Sequence, residues 1–111
     1  MSLTPQTVFE DRIAARLQSD PASAQSVNAI YLFDIDGSNG GQWTLDLTVP
    51  EVRSGGADDA NVTVRMTEED FIDMVEGRLQ GPAAFMTGKL KIEGDLSLAM
   101  KLGQVLDVRE G

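Results

Sequence analysis

The sequence of 111 residues contains no cysteine and no histidine. Histidine is the side chain that titrates closest to neutral pH, and it is the commonest ligand of zinc, iron and copper. Cysteine provides the thiolate used in covalent catalysis and in soft-metal sites. The two absences exclude histidine-based triads, thiol chemistry and nearly every transition-metal site. Catalysis would have to rest on carboxylates, lysine, tyrosine or a bound cofactor; we expect no catalytic residue, no cofactor and no metal.

Basic residues are also scarce. Lysine and arginine together number 9, against 18 acidic residues, which gives a formal net charge of −9 at pH 7. Neutralising nucleic-acid phosphates needs clustered lysine and arginine, and an anionic membrane surface attracts basic segments. The composition therefore argues against nucleic acid as a partner and against tight binding to an anionic membrane.

Long apolar runs are missing as well. No stretch approaches the ~20 apolar residues of a membrane-spanning helix, and no signal peptide opens the sequence. The absence of cysteine fits a reducing compartment. We therefore predict a cytoplasmic protein, and the length predicts a single domain over residues 1–111.

What the sequence does contain is clear alternation of apolar and polar residues. This pattern predicts strands over residues 28–36, 42–49, 61–66 and 89–93, with a short edge strand over 51–54. In the clearest of them, the predicted inward face comprises Trp43, Leu45, Leu47 and Val49, and the predicted wet face comprises Gln42, Thr44, Asp46 and Thr48. One packed face and one wet face are typical of an antiparallel sheet covered by helices on a single side.

Helical spacing of apolar residues predicts the remaining elements. Thr4 and Pro5 begin an N-terminal helix whose apolar face comprises Phe9, Ile13 and Leu17. Thr67 begins a second helix, whose stripe comprises Phe71, Met74, Val75 and Leu79. A short helix over residues 81–86 and a final helix after Asp95 follow. Helices segregated from a mostly antiparallel sheet define the α+β class.

The final helix carries more apolar surface than packing on a small domain requires. A surface helix needs an apolar stripe only ~100° wide. Here the polar strip is narrow and comprises Ser97, Lys101 and Gln104. The excess apolar arc, around Leu96 and Met100, should meet a ligand, a partner or a membrane surface.

The stretch before and into this helix reads Phe-Met-Thr-Gly-Lys-Leu-Lys-Ile-Glu-Gly-Asp-Leu-Ser-Leu-Ala-Met-Lys-Leu over residues 85–102. It resembles the hallmark segment of the sterol carrier protein 2 family, the nonspecific lipid-transfer proteins. The similarity extends roughly over residues 27–106, and the features suit a small standalone bacterial relative. It implies a five-stranded sheet with helices on one side and an apolar tunnel between the layers. It also implies binding and exchange of fatty acids, fatty acyl-CoA, phospholipids or sterols.

The apolar pattern and this resemblance together give a set of candidate lipid-binding residues. They are Trp43, Leu45, Phe71, Val75, Leu79, Phe85, Met86, Leu98, Leu102 and Leu106. Lys101 is a candidate contact for a lipid headgroup. Apolar periodicity does not distinguish a tunnel wall from a dry core. The alternative is therefore a non-catalytic structural or dimerisation module with a filled core, and a homodimer and transient membrane contact stay open as interactions.

Overall fold

The computed structural model describes residues 4–19, 21–99 and 101. Two helices lead into a run of four strands, two further helices follow, and a last strand and a short helix complete the described part. The helices are α1 over residues 5–19, α2 (Pro21–Val27), α3 (Glu68–Val75), α4 (Gly81–Met86) and α5 (Leu96–Ala99). The strands are β1 (Ile30–Asp36), β2 (Gly41–Asp46), β3 (Glu51–Ser54), β4 (Val62–Thr67) and β5 (Lys91–Gly94).

The strands form one sheet in the order β3-β2-β1-β4-β5. The central strand β1 pairs antiparallel with β2 and parallel with β4. The outer pairs, β2 with β3 and β4 with β5, are antiparallel. The predicted α+β class and mostly antiparallel five-stranded sheet are thereby confirmed.

One face of the sheet supplies most of the core. The register places Phe33 of β1 between Trp43 of β2 and Val64 of β4, so side chains of three neighbouring strands share that face. The buried side chains that β1, β2 and β4 contribute there are Tyr31, Phe33, Ile35, Trp43, Leu45, Val62, Val64 and Met66. This face is the floor on which the helices pack.

Helix α1 begins where its sequence predicts. The Thr4 hydroxyl accepts a hydrogen bond from the backbone N–H of Thr7 at 3.2 Å, which satisfies one of the free amides of the first turn. Pro5 occupies the first helical position. The predicted apolar face is buried and comprises Phe9, Ile13 and Leu17. Helix α1 therefore packs on the core along this face.

The middle of α1 is wound more widely than an α-helix. Residues Val8–Ile13 form a π-helical segment, and the amide of Ala14 donates to the carbonyl of Phe9. Such segments are rare and occur frequently at functional sites. The spacing of apolar residues, which fits an α-helix, did not predict this segment.

The end of β2 differs from the prediction. The strand ends at Asp46 and a turn follows over residues 47–50. Val49, predicted to point inward, is 59% exposed because it lies in this turn rather than in the strand. The predicted continuation of the strand through Val49 is therefore wrong, although Leu47 is buried.

Two polar residues of β2 predicted to face water are buried instead. The loop after β3 folds back, and the Thr44 hydroxyl donates to the carbonyl of Gly55 at 2.9 Å. The carboxylate of Asp46 accepts a hydrogen bond from the amide of Thr48 at 3.0 Å. Burial acts to raise the pKa of Asp46, but the Thr48 hydrogen bonds and the charge of Arg53 outweigh it and lower that pKa. Local partners therefore make burial of both side chains tolerable.

Helix α3 has the predicted N-terminal cap at Thr67. The helix ends at Val75, before the end of the predicted apolar stripe at Leu79. The Thr67 hydroxyl accepts from the amide of Asp70 at 3.2 Å. At the other end, the amide of Arg78 donates to the carbonyl of Asp73 at 2.8 Å, around Gly77 with φ of 84°. This is a Schellman ending, which a glycine in the left-handed region allows. Leu79, predicted within the helical stripe, therefore lies beyond the helix and packs half-buried against the core.

The hallmark segment contains the predicted strand and the beginning of the predicted helix, with the strand starting at Lys91 instead of residue 89. Gly94 ends β5 with φ of 103°. The Asp95 carboxylate then accepts from the amide of Ser97 at 2.9 Å and caps α5. Among the described residues, none of the helices has both the length and the apolar character that crossing a bilayer requires.

Candidate functional site

Four of the predicted lipid-binding residues meet in the layer between sheet and helices. Trp43 and Leu45 come from β2, and Phe71 and Val75 come from α3. All four are buried members of a single hydrophobic cluster. Strand alternation brings the first pair to the inner face, and helical spacing brings the second pair to the facing side of α3.

The centre of this layer is occupied by an aromatic ring outside the predicted set. Phe9 of α1 lies 5.1 Å from the rings of both Trp43 and Phe71, measured between centroids, at 12° to each. Phe33 of β1 lies 5.1 Å away at a tilt of 55°. The sequence indicated that Phe9 faces the core, but its position between two candidate wall residues depends on how α1 crosses the sheet. Apolar spacing within one element carries no information about that crossing.

Four other predicted contacts lie farther from the centre. Leu79 and Leu98 are partly buried and pack against the cluster. Phe85 is 40% exposed and Met86 is 84% exposed. The structure thus places Met86 at the outer surface instead of between the layers, which corrects the prediction that it faces inward. In a short helix such as α4, adjacent residues point in different directions, and only one face reaches the core.

The C-terminal candidates are covered only in part. Leu102 and Leu106 lie outside the described residues. Lys101, the candidate headgroup contact, is exposed and follows α5 in a turn in which its amide donates to the carbonyl of Leu98 at 3.0 Å. Its charge acts on Asp95, whose pKa is lowered chiefly by the hydrogen bonds that Ser97 donates.

A polar group, the hydroxyl of Tyr31, lies inside the apolar layer. The ring is buried on β1, and the hydroxyl donates to the carbonyl of Leu98 in α5 at 2.7 Å. Burial raises the pKa of Tyr31 to about 12, and the negative charge of Asp95 adds to the rise. The phenol therefore stays protonated at neutral pH, and its hydrogen bond connects α5 to the central strand β1.

A shallow depression on the surface has a different character. It encloses about 590 Å³ and is lined by Asp36, Gly37, Thr67, Glu68, Glu69, Ile72, Asp73 and Arg78. Arg78 donates to Asp73 at 2.7 Å, and Glu68 accepts from Asn39. These carboxylates therefore hold local structure, and across the described ranges no cluster of three acidic side chains is placed to hold a metal ion.

Comparison with known families identifies the architecture. Residues 10–107 match the sequence model of the SCP-2 sterol transfer family. The chain belongs to that family. The resemblance predicted from residues 85–102 is thus confirmed, and the match extends over most of the chain.

Curated relatives of this SCP-2 domain are much longer proteins. Human hydroxysteroid dehydrogenase-like protein 2 is 42% identical over 86 residues, which cover 75% of this chain and 21% of that protein. Peroxisomal multifunctional enzyme A of Dictyostelium discoideum is 41% identical over 86 residues, which cover 74% of this chain and 20% of that protein. The chain spans about a fifth of the length of these relatives.

Solved structures give the same fold and, in two cases, a ligand. The solution structure of palmitated SCP2L2 from Aedes aegypti is 30% identical, with a TM-score of 0.77 over 95% of this chain and 96% of that one. Sterol carrier protein 2 of Aedes aegypti in complex with palmitate is 26% identical, with a TM-score of 0.76 over 99% and 100%. The sec-alkylsulfatase Pisa1 from Pseudomonas is also similar, at 26% identity and a TM-score of 0.72, covering 98% of this chain and 17% of the sulfatase.

Proposed function

We propose that this SCP-2 domain binds the acyl chain of a lipid between its sheet and its helices and exchanges it without covalent chemistry. One observation carries the proposal: two neighbours that align over at least 95% of the chain are palmitate-bound proteins. A fatty acid is accordingly the first ligand to test. Fatty acyl-CoA, phospholipid and sterol-like molecules share the apolar body that such a layer would hold.

The apolar layer supports this proposal on energetic grounds. Trp43, Leu45, Phe71 and Val75 form the proposed walls, and Leu79, Leu98 and Phe85 lie at its margins. Burying about 400 Å² of acyl chain contributes roughly 10 kcal/mol, before the costs of association and ordering. After those costs, an affinity in the micromolar range is expected. Lys101, an exposed cation at the end of α5, is the proposed contact for an anionic headgroup.

The proposal assigns no catalytic residue. The matched relatives include enzymes, but this chain spans about a fifth of their length, so their activities do not transfer to it. We extend the proposal to a single domain over residues 1–111 in the cytoplasm. A second candidate, a dimerisation module with a filled core, is favoured by Leu96, which is 51% exposed on α5.

Displacement of a fluorescent fatty acid from delipidated protein tests the binding proposal. Palmitate should displace the probe saturably, and native mass spectrometry should show one lipid on a monomer. Val75→Thr should weaken binding several-fold, because it replaces a methyl group of the proposed wall with a polar hydroxyl that the acyl chain cannot hydrogen-bond. Val49→Thr is the matched control on an exposed residue and should leave the affinity unchanged.

Two results would contradict this reading. A lipid-free dimer with no saturable displacement favours the filled-core alternative over lipid binding. Saturable displacement with equal affinities for wild type and Val75→Thr keeps lipid binding but removes α3 from the wall of the site.

A further inference from the structure

Phe9 lies where the proposed ligand would have to lie. Its ring stacks between Trp43 and Phe71 with centroid distances of 5.1 Å on both sides. These two residues belong to the proposed walls, one on the sheet and one on α3. Phe9 is fully buried, as are Phe33, whose ring lies 5.1 Å from that of Phe9, and Leu45 on the same face of the sheet. The space between the walls is therefore filled by a side chain of α1.

Close packing turns this position into a constraint on binding. Protein interiors have few voids larger than a water molecule, so a lipid chain cannot enter a filled layer without moving something. An acyl chain that lies between the facing sides of Trp43 and Phe71 takes the volume that the ring of Phe9 occupies. If Trp43 and Phe71 are the walls of the site, Phe9 is the side chain that has to leave.

The backbone around Phe9 departs from regular α-helical winding. Phe9 lies within the π-helical segment Val8–Ile13, where the amide of Ala14 bonds to the carbonyl of Phe9. Segments of this type are found frequently at functional sites. The neighbouring side chain, Glu10, accepts from the indole N–H of Trp43 at 3.4 Å, a long and therefore weak hydrogen bond.

We infer that Phe9 is an internal substitute for the ligand: it fills the acyl-chain site in the lipid-free protein and leaves when a lipid enters. This inference rests on the proposed function. It makes Phe9 the residue that sets affinity, because every binding event must remove its ring from the Trp43–Phe71 sandwich. Truncating the ring removes that cost and destabilises only the lipid-free state, so the two effects are thermodynamically linked.

Truncation at Phe9 gives the first test. Phe9→Ala should bind palmitate about ten-fold more tightly than wild type, a change that corresponds to about 1.4 kcal/mol. Its melting temperature without lipid should fall and should recover in part with palmitate. Leu17→Ala is the matched control, because Leu17 is buried on the same helix α1 two turns away from Phe9. This control should lose stability without gaining affinity.

The wild-type protein offers a second test that needs no core truncation. Trp43 is the single tryptophan of the chain, so its emission reports on the sandwich alone. Palmitate should shift the emission to shorter wavelength, because the indole loses its Glu10 partner while its surroundings remain apolar. The midpoint of this shift should equal that of probe displacement. Phe9→Leu, which keeps an apolar side chain at the position, should fold and show an intermediate affinity.

The outcomes separate this inference from the proposed function. Saturable binding with equal affinities for wild type, Phe9→Leu and Phe9→Ala overturns the inference and keeps the function. Binding without any change in Trp43 emission does the same. Binding by Phe9→Ala alone overturns both, because Phe9 then stays in place in the native protein and the variant binds lipid only in the space that the truncation opens. No binding by any of the proteins overturns both.

Discussion

Tyr31 shows how one polar atom can organise an apolar layer. Its hydroxyl hydrogen bond to Leu98 links the central strand to α5, a helix of which the structure describes one turn. Since burial raises the pKa of Tyr31 to about 12, the hydroxyl remains a donor throughout the physiological range. The hydrogen bond that holds α5 over the layer therefore depends on the hydroxyl proton of Tyr31, which is retained at neutral pH.

Tyr31→Phe should lower the free energy of unfolding by about 1 kcal/mol at neutral pH, the usual net value of one hydrogen bond. The pKa of Tyr31 is higher in the folded protein, about 12, than the ordinary value of 10.0. Its stabilisation is therefore fully present below pH 10 and is lost as pH rises towards 12. Urea unfolding of both proteins across that range should show their difference shrinking, and a constant difference would contradict this assignment.

Single residues also show which features of the structure can be predicted from the sequence and which cannot. The inward face of β2 was predictable from alternation, because a strand places every second side chain on one face. Burial of Thr44 was not, because it depends on a loop that returns across the opposite face and accepts its hydroxyl hydrogen at Gly55. The same holds at the candidate site. Trp43 and Phe71 could be predicted as buried, but Phe9 between them could not, because its position follows from the crossing of two elements.

At the scale of elements, the first residues of the helices were more predictable from the sequence than the pairing partners of the strands. Thr4, Thr67 and Asp95 each cap a helix as the sequence indicates, since capping is a local hydrogen bond. The parallel pairing of β1 with β4 carries no such local signal. Alternation identifies the buried face of a strand, but its partner is decided by connections across the whole sheet.

Gly94 illustrates an element boundary that tolerates no side chain. A Cβ at this position would lie 2.5 Å from the carbonyl oxygen of Asn61 and 3.1 Å from the Cα of Val62. Gly94→Ala should therefore destabilise the protein by about 2–4 kcal/mol. Gly88→Ala is a matched control, because Gly88 also has a positive φ, of 80°, but no atom lies within 4 Å of its Cβ position.

The control should cost only the backbone term, about 1 kcal/mol. Thermal or urea unfolding of both variants measures the difference. Equal losses for Gly94→Ala and Gly88→Ala would show that β5 can shift away from Asn61, and that the close approach does not fix the end of the strand.

At the scale of the whole molecule, the charge imbalance dominates. The net charge of −9 is spread over a chain in which some of the described cations form ion pairs, such as Arg65 with Asp34 and Glu93. Exposed ion pairs of this kind contribute little to stability, about 0–1 kcal/mol each. Repulsion among the excess carboxylates is therefore the larger long-range effect, and it opposes the compact state.

Raising sodium chloride from about 0.01 to about 0.15 M should increase the melting temperature, because the screening length falls from about 30 to about 8 Å. The increase should diminish as pH is lowered towards the isoelectric point of about 4.2, where the net charge vanishes. Differential scanning fluorimetry over a grid of salt and pH measures both effects. A lower melting temperature at higher salt would show that ion pairs outweigh the general repulsion.

The pairing of β1 with a near and a distant partner has a consequence for the order of folding. β1 and β2 are joined by a short hairpin, but the amide of Ile30 reaches the side chain of Asn61, 31 residues later. During synthesis, the hairpin can close long before β4 leaves the ribosome, so one edge of β1 waits unpaired. Contacts of such sequence separation slow folding, and an open edge invites association between chains. The pairing of β1 with β4 therefore forms late in folding. Any delay in the synthesis of β4 prolongs the time during which the edge of β1 is open to association with other chains.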